Sequence, residues 1–391
     1  MAFMDFGRNP LHDDIRGAVR SMMTQFDDRY WMEHDDSHEF PWEFYDAVAA
    51  AGWLGITIPE EYGGGGLGVS EARIVEQEIS ASGGGMGACS AVHIGIFGFD
   101  PIIRHGSEDL KRRFLPRVPS GDLHTSFAVT EPDAGTDTAS ISTFATKVPG
   151  GWSVTGKKVW ITKALEAERF LLLARTAMAG EGAKRTDGMT LFFAEMNRDS
   201  VKVRPIPKMG RNAVDTNELF IDGLFVEDAD VVGDVGDGFR AILAGLNAER
   251  IISASAALGI GYAAVRRATD YANEREVFGR PIGRNQAIAH PIAEALMRLD
   301  AAELMVDKAA WLLDHGLACG REANMGKYLA AEAAFFAADW AVQVHGGYGY
   351  GKEFHVERYF REARLMRLAP ISQEMVMNYL SEHVLGLPRS Y

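Results

Sequence analysis

Apolar residues recur every three or four positions along the first third of the chain, as at Phe44, Ala47, Val48 and Ala51, which predicts amphipathic helices from residue 10 to near residue 120. Ser107 followed by Glu108 and Asp109 marks a helix start there, with a hydroxyl to cap free N–H groups and acids in the first turn. From residue 123 to 232 the period shortens. Runs such as Trp152-Ser-Val-Thr155 and residues 190–193 are β-branched or aromatic and separated by Gly, Pro, Asn and Asp, the pattern of antiparallel strands. From Gly236 to Leu385 helical spacing returns. Helices, strands, then helices predict an α+β protein with segregated layers: an N-terminal α-helical domain at 1–122, a middle β-domain at 123–235 and a C-terminal helical domain at 236–391.

The composition fits that layout. In 391 residues, 47% hydrophobic and 24% charged is ordinary for a globular protein of two or three domains. A net charge of −14 disfavours nucleic acid and anionic membranes, so an anionic ligand needs local basic residues. Cys89 and Cys319 form no C-x-x-C pair and are expected to be free thiols in a reducing compartment. Acid and arginine at the N-terminus interrupt what a signal peptide needs, and no unbroken apolar run reaches about 18 residues, so no membrane span and a cytoplasmic location are expected.

Some motifs mislead. Gly63-Gly-Gly-Gly-Leu-Gly68 satisfies the G-x-G-x-x-G dinucleotide fingerprint, yet it follows Glu60 and Glu61 in a helical region instead of opening a β-α-β unit. A surface turn between helices is expected there. The histidines form no H-E-x-x-H or comparable cluster, and no G-x-S-x-G elbow is present. His345, beside Gly346 and Gly347, reads as a structural histidine at a helix end.

Two places carry chemistry. Val129-Thr130 and Gly135-Thr136 offer N–H groups and hydroxyls at a strand end, suited to the edge of a flat heterocycle. Trp160 can cover an aromatic face, with Thr162 two residues on and expected on the same strand face. An ordinary core tryptophan and a turn at Pro132-Asp133 fit the same residues. On a helix over residues 236–272, Ile242, Leu246, Glu249, Ile252 and Ala256 fall on one stripe. Glu249 has Gly245 and Ser253 four positions away, so no cation of its own helix neutralises it. A desolvated carboxylate with a raised pKa suits a general base; one paired to a distant arginine or swung to solvent fits the spacing as well.

Phe127-Ala-Val-Thr-Glu-Pro-Asp-Ala-Gly-Thr-Asp137 with Trp160-Ile-Thr162, and Gly245-Leu-Asn-Ala-Glu-Arg250 with Arg275-Glu-Val-Phe278, together resemble the acyl-CoA dehydrogenase family. The likeness runs from about Pro10 to the C-terminus. It implies FAD, with Phe127, Val129, Thr130, Gly135, Thr136, Trp160 and Thr162 around the flavin ring, and with Ser372 also at the cofactor. Arg275, Phe278 and Gln286, with Gln343, Gly346 and Gly347, match the blocks that meet the ADP half from a neighbouring subunit. The resemblance therefore implies a homotetramer with a C-terminal four-helix bundle.

Most of the family keeps its base in a C-terminal segment that aligns with Arg361 to Ser372, where the base position is Pro370. A minority, including isovaleryl-CoA and long-chain enzymes, carries it on the helix before the family arginine. Glu249 occupies that place and Arg250 is the arginine. Asn247, Arg250 and Thr136 are the residues expected at the substrate, with Arg250 orienting the active-site loop. The backbone N–H that helps hold the thioester carbonyl in the family is missing at Pro370. The implied reaction is α,β-dehydrogenation of a saturated branched, medium- or long-chain acyl-CoA, with electrons passed to an electron-transfer flavoprotein. A flavin oxidase, monooxygenase or desulfinase on the same fold, or a DNA-protective flavin scaffold, stands as the alternative.

Overall fold

The computed structural model describes residues 9–180 and 182–390. Seven helices come first: α1 (Pro10–Met23), α2 (Asp28–Ser37), α3 (Trp42–Ala50), α4 (Val69–Ile79), α5 (Gly85–Phe97), α6 (Asp100–His105) and α7 (Glu108–Phe114). Several start where a short polar side chain accepts a free N–H. Asp27 Oδ1 accepts from Tyr30 at 2.9 Å, and Ser107 Oγ accepts from Leu110 at 3.1 Å, as expected at that position. The glycine run at 63–68 is a turn leading into α4. Gly63 has φ 83°, and a Cβ on Gly64 would lie 2.2 Å from the Ile58 carbonyl oxygen, so the run is steric and binds no dinucleotide by a β-α-β turn.

The middle strands are β1 (Thr125–Ala128), β2 (Phe144–Val148), β3 (Gly151–Thr162), β4 (Arg169–Arg175), β5 (Met189–Glu195), β6 (Val201–Pro205), β7 (Thr216–Glu227) and β8 (Val231–Val232). They form one sheet in the order β6-β7-β3-β2-β4-β5-β8. The expected antiparallel pairing holds for most neighbours, but β1 runs parallel to β4, with Thr125 opposite Arg169, and β2 meets β4 parallel as well. Alternation along β4 sorts its side chains: Leu171 and Leu173 join Phe99, Ile102 and Phe114 of the helices, while Phe170, Leu172 and Ala174 join Phe192 and Leu219 on the other face. The sheet is thereby fixed to the N-terminal helices.

The remaining chain is α8 (Gly238–Glu274), a short hairpin of β9 (Glu276–Val277) and β10 (Arg280–Pro281), α9 (Gln286–Asp314), α10 (Gly320–His345), α11 (Val356–Leu365) and α12 (Gln373–Tyr379). Helices α8 to α11 form the C-terminal bundle. Small residues let them approach closely: Ala330, Ala334, Ala337 and Ala341 of α10 are buried, and a Cβ on Gly261 of α8 would lie 2.4 Å from a Leu299 methyl. Two helical runs, Val69–His105 and Gly238–Glu274, are long and apolar enough to cross a bilayer, which a search for one unbroken apolar run does not register. The protein buries 67% and 71% of their apolar windows, so they serve here as core helices.

Candidate active site

Glu249 lies on the buried side of α8, where Ile242, Ile252 and Ala256 are inaccessible and Leu246 is half-buried. Burial pushes its carboxyl above the ordinary range, and His93 and Arg250 oppose that shift in part. The expectation that no cation of its own helix reaches it fails at Arg250, the next residue of α8, and α5 adds the imidazole of His93 from outside. His93 is itself held by Glu76, with Nδ1 3.3 Å from Oε1, and Glu76 is fully buried. Arg250 donates from Nη1 to Asn247 Oδ1 at 3.0 Å, and its buried Nε has no partner among the described residues. The arginine is therefore braced against its own helix.

The strand-end residues gather at the edge of the middle sheet. Phe127 lies in β1 just before its last residue, Ala128, and Val129 and Thr130 follow the strand as half-buried residues; the Thr130 carbonyl accepts the Val159 N–H at 2.9 Å. Gly135 and Thr136 are exposed, with open space around Gly135. Trp160 and Thr162 flank the buried Ile161, but Trp160 lies outside the regular pairing of the strand. Pairing between β3 and β7 slips between Lys158 and Ile161, and Trp160 has φ 64°, so a bulge turns its indole outward to 59% exposure. Thr162 is half-buried and accepts from Arg211 Nη2 at 3.4 Å.

Residues at the far end line an open cleft of about 510 Å³ between Tyr271, Arg275, Val277, Gly346, Gly347 and Tyr348. Arg275 is exposed and joined to no carboxylate among the described residues, and a Cβ on Gly346 or Gly347 would meet nothing within 4 Å. Phe278 does not line the cleft: at φ 54° it stands 99% exposed on the hairpin. Gln286 opens α9 and Gln343 lies in the last turn of α10, both exposed. His345 is structural, as expected. Its Nδ1 donates to the Ala341 carbonyl at 2.7 Å, its ring stacks on Tyr271, and burial lowers its pKa.

At the C-terminal end, Pro370 follows a cis peptide bond and is exposed. Ser372 caps α12, accepting the Met375 N–H at 3.3 Å. Cys89 and Cys319 are buried free thiols.

Several charged residues of this region escape a reading of the sequence. Lys158 Nζ lies 2.9 Å from both Glu131 Oε1 and the Val129 carbonyl oxygen. Nothing distinguishes Lys158 from Lys157 along the strand, since the partner is 27 residues away. Arg211, at φ 63°, donates to Ser90, Thr162 and Thr216 hydroxyls. Lys327 had a usable signal: it falls on the same helical stripe as Ala323, Ala330 and Ala334, as Glu249 does on its own.

Comparison with known proteins bears on all three parts of the chain. Residues 9–122 match the family profile described as acyl-CoA dehydrogenase, N-terminal domain; residues 126–224 match the middle domain and residues 236–385 the C-terminal domain. The chain is similar to an acyl-CoA dehydrogenase of Mycobacterium tuberculosis (strain ATCC 25618 / H37Rv), 38% identical over 379 residues and covering 96% of each chain. It is also similar to an acyl-CoA dehydrogenase of Bacillus subtilis (strain 168), 38% identical over 356 residues, 91% of this chain and 92% of the relative. Among solved structures, the glutaryl-coenzyme A dehydrogenase glutaryl-CoA complex superposes with a TM-score of 0.92 at 30% identity, covering 99% of this chain and 98% of that one.

Proposed function

Since this chain belongs to the acyl-CoA dehydrogenase family, whose members are oxidoreductases, we propose that it dehydrogenates a saturated acyl-CoA across its α,β bond, with FAD as cofactor and Glu249 as base. The observation that carries this reading is the Glu249 carboxyl itself, held on the apolar stripe of α8 with its pKa raised by burial. Such a group is a stronger base than a solvated carboxylate.

The residues fit FAD. The cleft at Arg275, Gly346 and Gly347 offers a guanidinium without a carboxylate partner among the described residues and backbone that a phosphate can approach, which suits the pyrophosphate half. The outward indole of Trp160, with Thr162, Val129 and Thr130 nearby in the sheet, suits the ring; Thr136 and Gly135 leave open space beside it. When bound, FAD accepts the hydride that leaves the β-carbon. Glu249 must be ionised to take the α-proton on its carboxylate, and Arg250, braced by Asn247, sets the polar end of the site.

The acyl group is proposed to be branched, medium or long, lying along α5. Met86 and Ile96 are core residues there, whereas Ile94 and Phe97 are only half-buried. The bare Phe278, with Tyr350 at 90% exposure, supports cofactor sites completed between copies of the chain in a tetramer. An electron-transfer flavoprotein is the proposed acceptor and the cytoplasm the proposed location. Anaerobic titration with straight, branched and cyclic acyl-CoAs tests the reaction: one class should bleach the flavin of the native protein and fail with Glu249→Gln. Full bleaching by Glu249→Gln would remove the base assignment.

A further inference from the structure

Removing an α-proton leaves negative charge on the thioester oxygen, and a site that does so needs donors aimed at that oxygen. Proline at 370 has no N–H to give. The turn that carries it is nevertheless tied to α10 at two points. Lys327, 1% exposed, donates from Nζ to the Ile371 carbonyl. Farther along the same helix, Glu332 lies 2.7 Å from Arg367 Nε and accepts from the Gln373 amide, while Arg367 Nε also lies 3.1 Å from Gln373 Oε1. Both ends of the segment 367–373 are thus fastened to one helix.

Lys327 is placed as a charge as well as a tether. No ion pair joins it to a carboxylate among the described residues, and a buried ammonium in that state is costly unless the site uses it. Its titratable neighbours are Arg250 from α8 and Glu374 from α12. Arg250 in turn faces Glu249, Tyr379 and Cys319. Arg250 is thus a charged neighbour of both the base and Lys327. In the turn, the Ile371 and Ser372 N–H groups make no backbone hydrogen bond among the described residues.

We propose that Lys327 is a positioning residue of the Glu249 site: by gripping the Ile371 carbonyl it fixes the Pro370 turn and its free N–H donors, and with Arg250 it supplies positive charge where the thioester oxygen becomes negative. This rests on the reading of Glu249 as base. It also accounts for a proline at 370, because the lost N–H is replaced by neighbouring donors whose peptide is held from α10.

Burial draws Lys327 down to about 8, with the like charge of Arg250 adding to the effect and Glu374 opposing it. Lys327 is cationic below that value and neutral above it, so flavin reduction by substrate should slow as pH rises through about 8. The test uses FAD-loaded Lys327→Met, Lys327→Arg and Glu249→Gln, reading FAD content, melting temperature, and the pH dependence of kcat and KM. Lys327→Met should keep its FAD and lose about 10-fold or more in kcat with little change in KM, as expected for a lost transition-state contribution. Lys327→Arg should recover much of that loss and move the alkaline limb upward. If Lys327→Met only melts lower, with kcat per loaded flavin unchanged, the proposal falls. Should Lys327→Met fail to fold, an alkaline limb unmoved in Lys327→Arg overturns it equally. A fully active Glu249→Gln removes the base and this proposal together, whereas an inactive Glu249→Gln beside a fully active Lys327→Met removes this proposal alone.

Discussion

Lys158 and Glu131 meet inside the middle sheet, Nζ to Oε1 at 2.9 Å, with both side chains almost wholly withdrawn from solvent. Glu131 also accepts the Ser142 N–H at 2.6 Å and the Thr143 N–H at 2.9 Å, while Lys158 holds the Val129 carbonyl. The pair therefore fastens β3 to both ends of the loop that carries Thr130, Gly135 and Thr136.

Removing one member should expose what the pair holds. Lys158→Met leaves the Glu131 charge buried and is expected to lower stability by about 3 kcal/mol, seen as a lower urea midpoint. Burial alone would raise the Glu131 carboxyl, but the Lys158 charge and the Thr143 and Ser142 donors hold it at about 2. A depressed carboxyl stabilises the fold above its unfolded value of 4.5, and that contribution is lost as pH falls toward about 2. Acid unfolding of Lys158→Met should accordingly begin at a higher pH than in the native protein. An unchanged acid midpoint would show that the pair contributes nothing.

The raised carboxyl of Glu249 sets the acid side of catalysis. Only the ionised form takes a proton, so kcat/KM for flavin bleaching should rise with pH through a value above the ordinary 4.5. Removing the opposing imidazole with His93→Gln should move that limb higher still. A limb at or below the ordinary carboxylate value would contradict the burial argument.

Trp160 offers a separation of binding from folding. Because its indole is 59% exposed and packs little, Trp160→Ala should shift the apoprotein's stability by no more than about 0.5 kcal/mol. Flavin retention on gel filtration should nevertheless drop. A large loss of stability at unchanged FAD content would mark Trp160 as structural.

Phe278 makes the same point for assembly. A phenylalanine with 99% of its surface bare contributes nothing to packing within one chain, so Phe278→Ala should leave secondary structure and protomer folding intact. Sedimentation should show weaker association, and the FAD content should fall with it. Native-like assembly with full flavin would mean that no partner covers this residue.

Much of the architecture was legible because the hydropathy period carries it. The switch from spacings of three and four to alternation near residue 123, and back near 236, coincides with β1 and α8, and the Ser107 cap lies where its chemistry puts it. The parallel pairing of β1 with β4 was not legible, since alternation reports which face a residue takes and says nothing of strand direction. The bulge that leaves Trp160 outside the β3–β7 register was not legible either, because it depends on how the partner strand pairs and not on local spacing.

Glu249 on an apolar stripe, the free glycines at 346 and 347, and the absence of an N–H at Pro370 are properties of residue type and spacing, and the sequence alone determined them. The partners of those residues came only with the folded chain. His93 reaches Glu249 from α5, Lys158 finds Glu131 across the sheet, and Lys327 grips Ile371 from 44 positions away. Periodicity is a short-range signal that orients each side chain about its own helix or strand. Charge pairing depends on distances between elements, and those are set only when the core packs.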